Sequence, residues 1–478
     1  MSTSRQRLNV LLITSEDNGV QLSCYGDRAI DTSNLDSLAA DGTCFETAFV
    51  TQAVCSPSRS SILTGLYPHQ NGQIGLTTSK YRMRRAYPSL PSILKAAGYR
   101  TGRLGKLHVE PEDAFPFDTV WNDSAYISFH HRDVAKTAEV AESYIAESSE
   151  PFFLMVNYCD AHLPWLRQDC GMPPRPFVSS EVHVPPAVGV DSGRLRQHAA
   201  DYYSCVKRLD IGIGYLLEAL ERTGHRDDTL VIYLGDHGPQ FSRGKGACYE
   251  LALQVPFIVR WPEMPAQGMV RNRLVSSIDI MPTVLDALGL PAPKDLPGAS
   301  LRPLVAGEPC DWRKHVFCEW NTSHPYPPPS FLYPQRTVRD GRYKLIQTLL
   351  PDRDNPVEEY YTKHVLVDTG TTQWEIDHGN QTVQRVYNGW RRPNPIEIFD
   401  LETDPNEFND LAGTQEGIAI RDRLLPVLQA WREETKDPLL DPNRLARLVE
   451  EDLHTTGLSG GHQKPEFRWE YLDYLYDD

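Results

Sequence analysis

The sequence predicts an α/β fold: a large, mostly parallel sheet sandwiched by helices, with a smaller C-terminal antiparallel-sheet subdomain. Three observations lead there. Short apolar or β-branched runs alternate with helix-length segments through the first two-thirds of the chain, the pattern of a parallel sheet with crossover helices. Helical segments stop at glycine, a natural C-terminal cap. After about residue 320 the texture changes to a proline-rich loop followed by a hairpin signal.

Strands are expected at 8–14, 99–104, 152–157, 229–234 and 256–260. Helices are expected at 89–97, ended by Gly98, at 134–148, and at 278–288, ended by Gly289. The longest helix spans about 194–222, where Tyr202, Val206, Leu209, Ile213, Leu216, Leu217 and Leu220 recur at steps of three and four and mark one buried stripe. Beyond the His324–Pro329 loop, residues 336–346 read as a hairpin turning at Asp340-Gly341. A strand at 396–401 and a helix at 415–435 complete that unit. The tail, with Trp469, Tyr471, Tyr474 and Tyr476, is expected to dock on its own chain or on a partner. The division implied is 1–334 for the main domain and 335–478 for the subdomain.

Composition narrows the functions. Net charge is −16, and no block of Lys and Arg offers a nucleic-acid tract. No stretch is long enough to cross a membrane. The apolar run Leu8–Thr14 is short for a secretory signal and reads as the first buried strand, so the expectation is a cytoplasmic protein. The nine cysteines are odd in number and scattered, with no C-x-x-C pair, which fits reduced core residues.

Chemistry-bearing residues recur just past expected strand ends, where open α/β sheets bind ligands. Glu16-Asp17 follow the first strand, and adjacent acids suit a hard cation. Lys106 and His108 follow 99–104 and point to the same side of an extended segment. Asp160 and His162 follow 152–157. Asp236-His237 follow 229–234, and Lys245 lies between two glycines nine residues later. Each alone reads equally as a solvated turn or a surface charge. Cys55-Ser56-Pro57-Ser58-Arg59 leads into an apolar helical start, and alone it reads as a free cysteine at a turn.

Together these segments resemble the type I (formylglycine-dependent) sulfatases of the alkaline-phosphatase superfamily. The resemblance runs nearly the whole chain, through Arg339–Ile346 and Glu397–Pro405. Cys55–Arg59, Pro68–Gly72, Gly105–Val109 and Trp431–Pro438 look closest to the heparan N-sulfatases (sulfamidases). The resemblance implies that Cys55 is oxidised to formylglycine by a formylglycine-generating enzyme and that its hydrate attacks sulfur. It implies one divalent metal on Glu16, Asp17, Asp236 and His237 together with the modified Cys55. Calcium is the first choice, with manganese, magnesium or zinc open. Arg59 and Lys106 would neutralise sulfate and hold the hydrate, His162 and Lys245 would serve the leaving group, and His108 would take the proton that re-forms the aldehyde. Asp160 and His324 are assigned to substrate binding. The chain departs from sulfamidases at Glu16, His237 and Lys245, where those proteins resemble Asp, Asn and Arg.

The implied activity is hydrolysis of a sulfuric ester or sulfamate on a small anionic substrate such as N-sulfoglucosamine. Two alternatives stay open: a phosphonate monoester or phosphodiester hydrolase of the same superfamily, which shares an Asp-His metal pair, and an unmatured, non-catalytic anion-binding protein. A homo-oligomer is also open.

Overall fold

The computed structural model describes residues 7–147, 150–262, 264–270, 272–325, 330–364, 369–457 and 464–476. Its strands, in chain order, are β1 (Asn9–Ser15), β2 (Thr43–Phe45), β3 (Ala48–Phe49), β4 (Arg100–Leu104), β5 (Thr119–Trp121), β6 (Phe152–Tyr158), β7 (Thr229–Gly235), β8 (Phe257–Arg260), β9 (Gly268–Val270), β10 (Val275–Ser276), β11 (Val316–Trp320), β12 (Gln335–Arg339), β13 (Tyr343–Thr348) and β14 (Ile396–Asp400).

Eight of them form the main sheet in the order β5-β4-β6-β1-β7-β8-β2-β9. The centre is parallel: β1 pairs with β6 on one side and β7 on the other, and β4 continues beyond β6. Only β8 runs against its two neighbours. β1, β6 and β7 are buried along their whole length, which explains why they read as unbroken apolar runs.

The pleat sends alternate residues to opposite faces. Leu11, Ile13, Leu154, Val156, Val231 and Tyr233 pack with the helices Val134–Ala146 and Gly193–Arg222. Val10, Leu12, Phe153, Met155, Leu230 and Ile232 pack on the other face with the helices Cys55–Thr64, Leu90–Ala96 and Ile280–Ala287. The sheet therefore lies between two helical layers, as the sequence predicts. The long helix starts at a Ser192 side chain that accepts from the Leu195 N–H, a conventional N-cap.

The second sheet is antiparallel, β11-β12-β13-β14. One face carries Val338, Leu345 and Ile398 onto the helix Gln415–Glu434. The other carries Trp320, Ile346 and Phe399 onto Val50, Ala53, Val54 and Leu253 of the main domain. The expected division at 334/335 falls inside this sheet, between β11 and β12. β11 precedes the proline-rich loop, which therefore connects two paired strands; its residues 326–329 lie outside the described residues.

Short strands β2, β5 and β9 carry too few residues to show a period of two, and the sequence does not reveal them. The aromatic tail docks on its own chain. Trp469 stacks on Tyr81 at 4.5 Å and donates to the Ser79 carbonyl at 2.7 Å, and the Tyr471 hydroxyl sits 2.9 Å from the Gly72 carbonyl.

Candidate active site

The parallel order of β4, β6, β1 and β7 brings four strand ends to one edge of the sheet, and four expected groups arrive with them. The fifth comes on the helix Cys55–Thr64, buried at every residue, with Cys55 as its first residue and Val54 as its N-cap. Two glycines set the spacing. Gly105 turns the chain at a φ of +86°, and a Cβ there would lie 2.7 Å from the Asn157 carbonyl oxygen. A Cβ on Gly238 would lie 1.8 Å from the Leu251 carbonyl, so no other residue lets the segment after Asp236-His237 close against residues 249–253.

Glu16, Asp17 and Asp236 are all fully buried and each meets cations. Lys106 Nζ donates to Glu16 Oε2 at 2.8 Å. Lys245 Nζ donates to both oxygens of Asp17, at 2.9 and 3.0 Å. Arg59 donates to Asp236 Oδ2 through Nε at 3.1 Å and Nη2 at 2.9 Å, and its Nη2 is 3.6 Å from Glu16 Oε1. Three carboxylates thus balance three cations. Burial opposes ionisation of Glu16, but Lys106 and Arg59 outweigh it and hold the carboxyl well below its usual range.

Cys55 Sγ lies 3.5 Å from His237 Nε2. Burial works against its thiolate, yet Lys106 and Lys245 prevail and bring the thiol down to about 6. His237 Nδ1 faces the Gly238 carbonyl at 2.9 Å and so carries a proton. That leaves Nε2 aimed inward, 3.3 Å from Asp17 Oδ1 and 3.6 Å from Asp236 Oδ1. Burial disfavours a second proton there, but Asp236 and Asp17 raise the imidazole to about 9.

This donor set fits a divalent cation. Atoms of Glu16, Asp17, Cys55 and His162 cluster within 4.8 Å of one another, as do those of Cys55, Asp236 and His237. The oxygens suit a hard ion, and His237 is oriented by its carbonyl partner as ligating histidines are.

Above this floor opens a cavity of about 610 Å³, whose walls include Cys55, Lys106, His108, His162 and Lys245. His108 takes a φ of +57°, and neither of its ring nitrogens has a partner among the described residues. Burial, then Lys106, push it well below the usual imidazole range, so it is neutral. His162 hydrogen-bonds the Leu163 carbonyl through Nδ1 and stacks on Phe129 at 4.3 Å. Burial holds it down at about 4, also neutral.

Two expected residues stand elsewhere. The Asp160 side chain accepts from Arg208 Nε at 2.6 Å and does not line the cavity. His324 packs on Phe331 at 4.3 Å and on Tyr360 and is not itself one of the residues that line the cavity, although its neighbour Ser323 accepts from the N–H of cavity-lining Leu76 at 2.8 Å.

A family model described as Sulfatase matches residues 8–290, more than half the chain. The chain belongs to the sulfatase family. A second model, described as N-sulphoglucosamine sulphohydrolase, C-terminal, matches 235–361 of this sulfatase. The chain is 30% identical to human N-sulphoglucosamine sulphohydrolase, over 90% of this chain and 91% of that one. Its fold is shared by a protein solved in complex with its substrate D-glucosamine-2-N,6-O-disulfate, with a TM-score of 0.65, 20% identity, and 90% and 99% of the two chains covered. It is shared too by the phosphonate monoester hydrolase of Agrobacterium radiobacter, with a TM-score of 0.68, 21% identity, and 90% and 96% covered. The sulfamidase-like resemblance is thereby borne out, and the sulfatase is a hydrolase.

Sequence reasoning missed Asn157. Its Oδ1 accepts from Arg59 Nη2 and from Thr14 Oγ1 at 2.9 Å, while its Nδ2 donates to Glu16 Oε1 at 3.0 Å. It joins the arginine to the acid, both fully buried. The signal was present: a lone amide near the C-terminal end of the apolar run Phe152–Tyr158. Phe129, which covers His162 and lies 4.9 Å under Lys106 Nζ, gave no such signal.

Proposed function

We propose that this sulfatase cleaves a sulfate ester or sulfamate of a small sugar and releases inorganic sulfate, with formylglycine made from Cys55 as nucleophile. The observation that supports this reading is the single cavity onto which Cys55, Lys106, His108, His162 and Lys245 converge. Human N-sulphoglucosamine sulphohydrolase, 30% identical, supports the sulfamate side of the reading.

Glu16, Asp17, Asp236 and His237, with the modified Cys55, would hold one divalent cation, with calcium the first choice for so oxygen-rich a set. When bound, that ion would polarise the sulfate oxygens and activate the hydrate. The chain's own residues do the rest. Three cations already match the three carboxylates, so any added positive charge is surplus that can take an anionic ester. Lys106 and Lys245 reach from floor to cavity and neutralise sulfate oxygens. His108, neutral and with no partner among the described residues, can accept the proton whose loss re-forms the aldehyde. His162, stacked on Phe129 and held through Nδ1, presents Nε2 to the departing group. A plain cysteine would be left as a covalent sulfur ester with no internal route to release, which gives the oxidation its purpose.

The pairing of Asp236 with His237 favours a second reading, phosphonate monoester or phosphodiester hydrolysis. One experiment separates the two. Protein matured with a formylglycine-generating enzyme is assayed on N-sulfoglucosamine, an aryl sulfate and a phosphodiester, with the Cys55 peptide weighed by mass spectrometry. Aldehyde at Cys55 with the highest kcat/KM on a sulfated substrate is the expected result. Faster phosphodiester cleavage selects the second reading, and full activity with an intact thiol overturns both.

A further inference from the structure

A second ligating cluster lies outside the catalytic floor. His131, Asp169 and Cys170 bring an imidazole, a carboxylate and a thiol together with all ligand atoms within 4.8 Å. His131 Nδ1 is 3.3 Å from Asp169 Oδ1. Cys170 Sγ is 3.8 Å from His131 Nε2, 3.9 Å from Nδ1 and 3.8 Å from Asp169 Oδ1. Around a tetrahedral zinc ion with bonds of about 2.0–2.3 Å, neighbouring ligand atoms stand ~3.3–3.7 Å apart. The cluster is already near that spacing. Three ligands leave a fourth position for water, while the nearby Asp133 carboxylate is engaged as the N-cap of the helix Val134–Ala146 through the Lys136 N–H at 2.9 Å.

The cluster is accessible and built from two loops. His131 is 43% exposed, and Cys170 alone of the nine cysteines is exposed. Asp169–Met172 is a two-residue hairpin closed by Asp169 N to Met172 O at 2.9 Å and Met172 N to Asp169 O at 2.8 Å. Both central residues, Cys170 and Gly171, have positive φ, +48° and +75°. Such turns are dominated by Asn, Asp and Gly, so a cysteine there is unusual. The Asp169 carboxylate is oriented by the Arg132 and Cys170 N–H groups, the kind of support that fixes a metal ligand.

We propose that His131, Asp169 and Cys170 form a second cation site, for zinc or a similar borderline divalent ion, which clasps two loops at the mouth of the catalytic cavity. Nitrogen, oxygen and sulfur together select such an ion over calcium. On binding, the thiol proton leaves to solvent and sulfur donates its pair to the metal, with no change of oxidation state. The clasp acts on the cavity through position. Ser128 and Phe129, just before His131, line the cavity. Arg132, just after it, donates to the carbonyls of Asp160 at 2.7 Å and His162 at 2.9 Å. The inference depends on where the cavity lies and is independent of the reaction carried out there.

The test is alkylation of the metal-stripped, full-length protein with iodoacetamide, with and without zinc, read at the Cys170 peptide by mass spectrometry. Zinc should slow labelling of Cys170 at least tenfold, and His131→Ala should remove that protection. Calorimetry should show one zinc-binding event fewer in Cys170→Ser than in wild type, while the cation site around Asp236 keeps its own. Unchanged labelling of wild type with zinc, equal protection in His131→Ala, or an identical isotherm for Cys170→Ser would each overturn the proposal.

Discussion

Two buried charge networks follow one another along the chain, and they end differently. The first is the floor of the cavity, where Glu16, Asp17 and Asp236 meet Lys106, Lys245 and Arg59. The second begins a few residues after the Cys55 helix. His69 Nδ1 bonds Glu319, and Arg336 clasps Asp437 through Nε at 2.8 Å and Nη2 at 2.9 Å. Arg432 Nε adds a bond to the same carboxylate at 2.7 Å. In the second network every side-chain nitrogen and oxygen has a partner, and the charges tie the main domain to the C-terminal subdomain. In the first, the two lysines reach the cavity and the His108 ring has no hydrogen-bond partner among the described residues. Both networks bear the desolvation cost of buried ions. The closed one recovers it in the fold, whereas the open one keeps unspent hydrogen-bonding capacity for a ligand.

Mutations can break that contrast. Cys55→Ala should lower kcat by about 10⁴-fold or more, the scale for removing a nucleophile, with little change in the unfolding midpoint. Steady-state kinetics beside thermal unfolding would check it, and retained turnover would mean that the open network is not the reaction site. Asp437→Ala should do the reverse. It strands Arg336 and Arg432 in the interior and should cost about 3–5 kcal/mol in denaturant unfolding, with kcat of the folded protein nearly unchanged.

Another buried carboxyl, Glu397, sharpens the comparison, because it belongs to neither network. Glu397 accepts from the Tyr249 hydroxyl at 3.1 Å, but its other oxygen has no partner among the described residues. Burial raises it to about 8. Because the folded value exceeds the unfolded one, the folded state binds the extra proton. The contribution is complete below about pH 4.5 and is lost as pH rises towards 8, on the order of 5 kcal/mol in all. Melting temperature should therefore fall across that window more steeply in wild type than in Glu397→Gln. The smallest effect is expected at Phe129→Ala, which uncovers His162 and Lys106. KM should rise by about threefold, as suits the loss of one partly exposed aromatic contact, and substrate-saturation curves would measure it.

The central strands were legible because each is buried on both faces and mostly apolar, and the long helix because its stripe from Tyr202 to Leu220 recurs over about five turns. Most of the site was legible as a set of strand-end groups, since those residues sit one to four positions past the end of a strand. Asp160 shows the limit of that reasoning. It shares the strand end with His162, yet its carboxylate pairs with Arg208 of the long helix at 2.6 Å and is not among the residues lining the cavity. Sequence proximity to a catalytic group does not fix a side chain's direction.

By itself, the sequence determined the α/β alternation, the order of the chemistry-bearing segments and the kind of reaction they serve, because those properties are local in the chain. Tertiary structure alone decided that β11 belongs to the second sheet, that Asn157 joins Arg59 to Glu16, and that the aromatic tail closes on Gly72 and Ser79. Each of those contacts spans nearly a hundred residues or more, or depends on which strands become neighbours, and no periodicity within a segment encodes its distant partner.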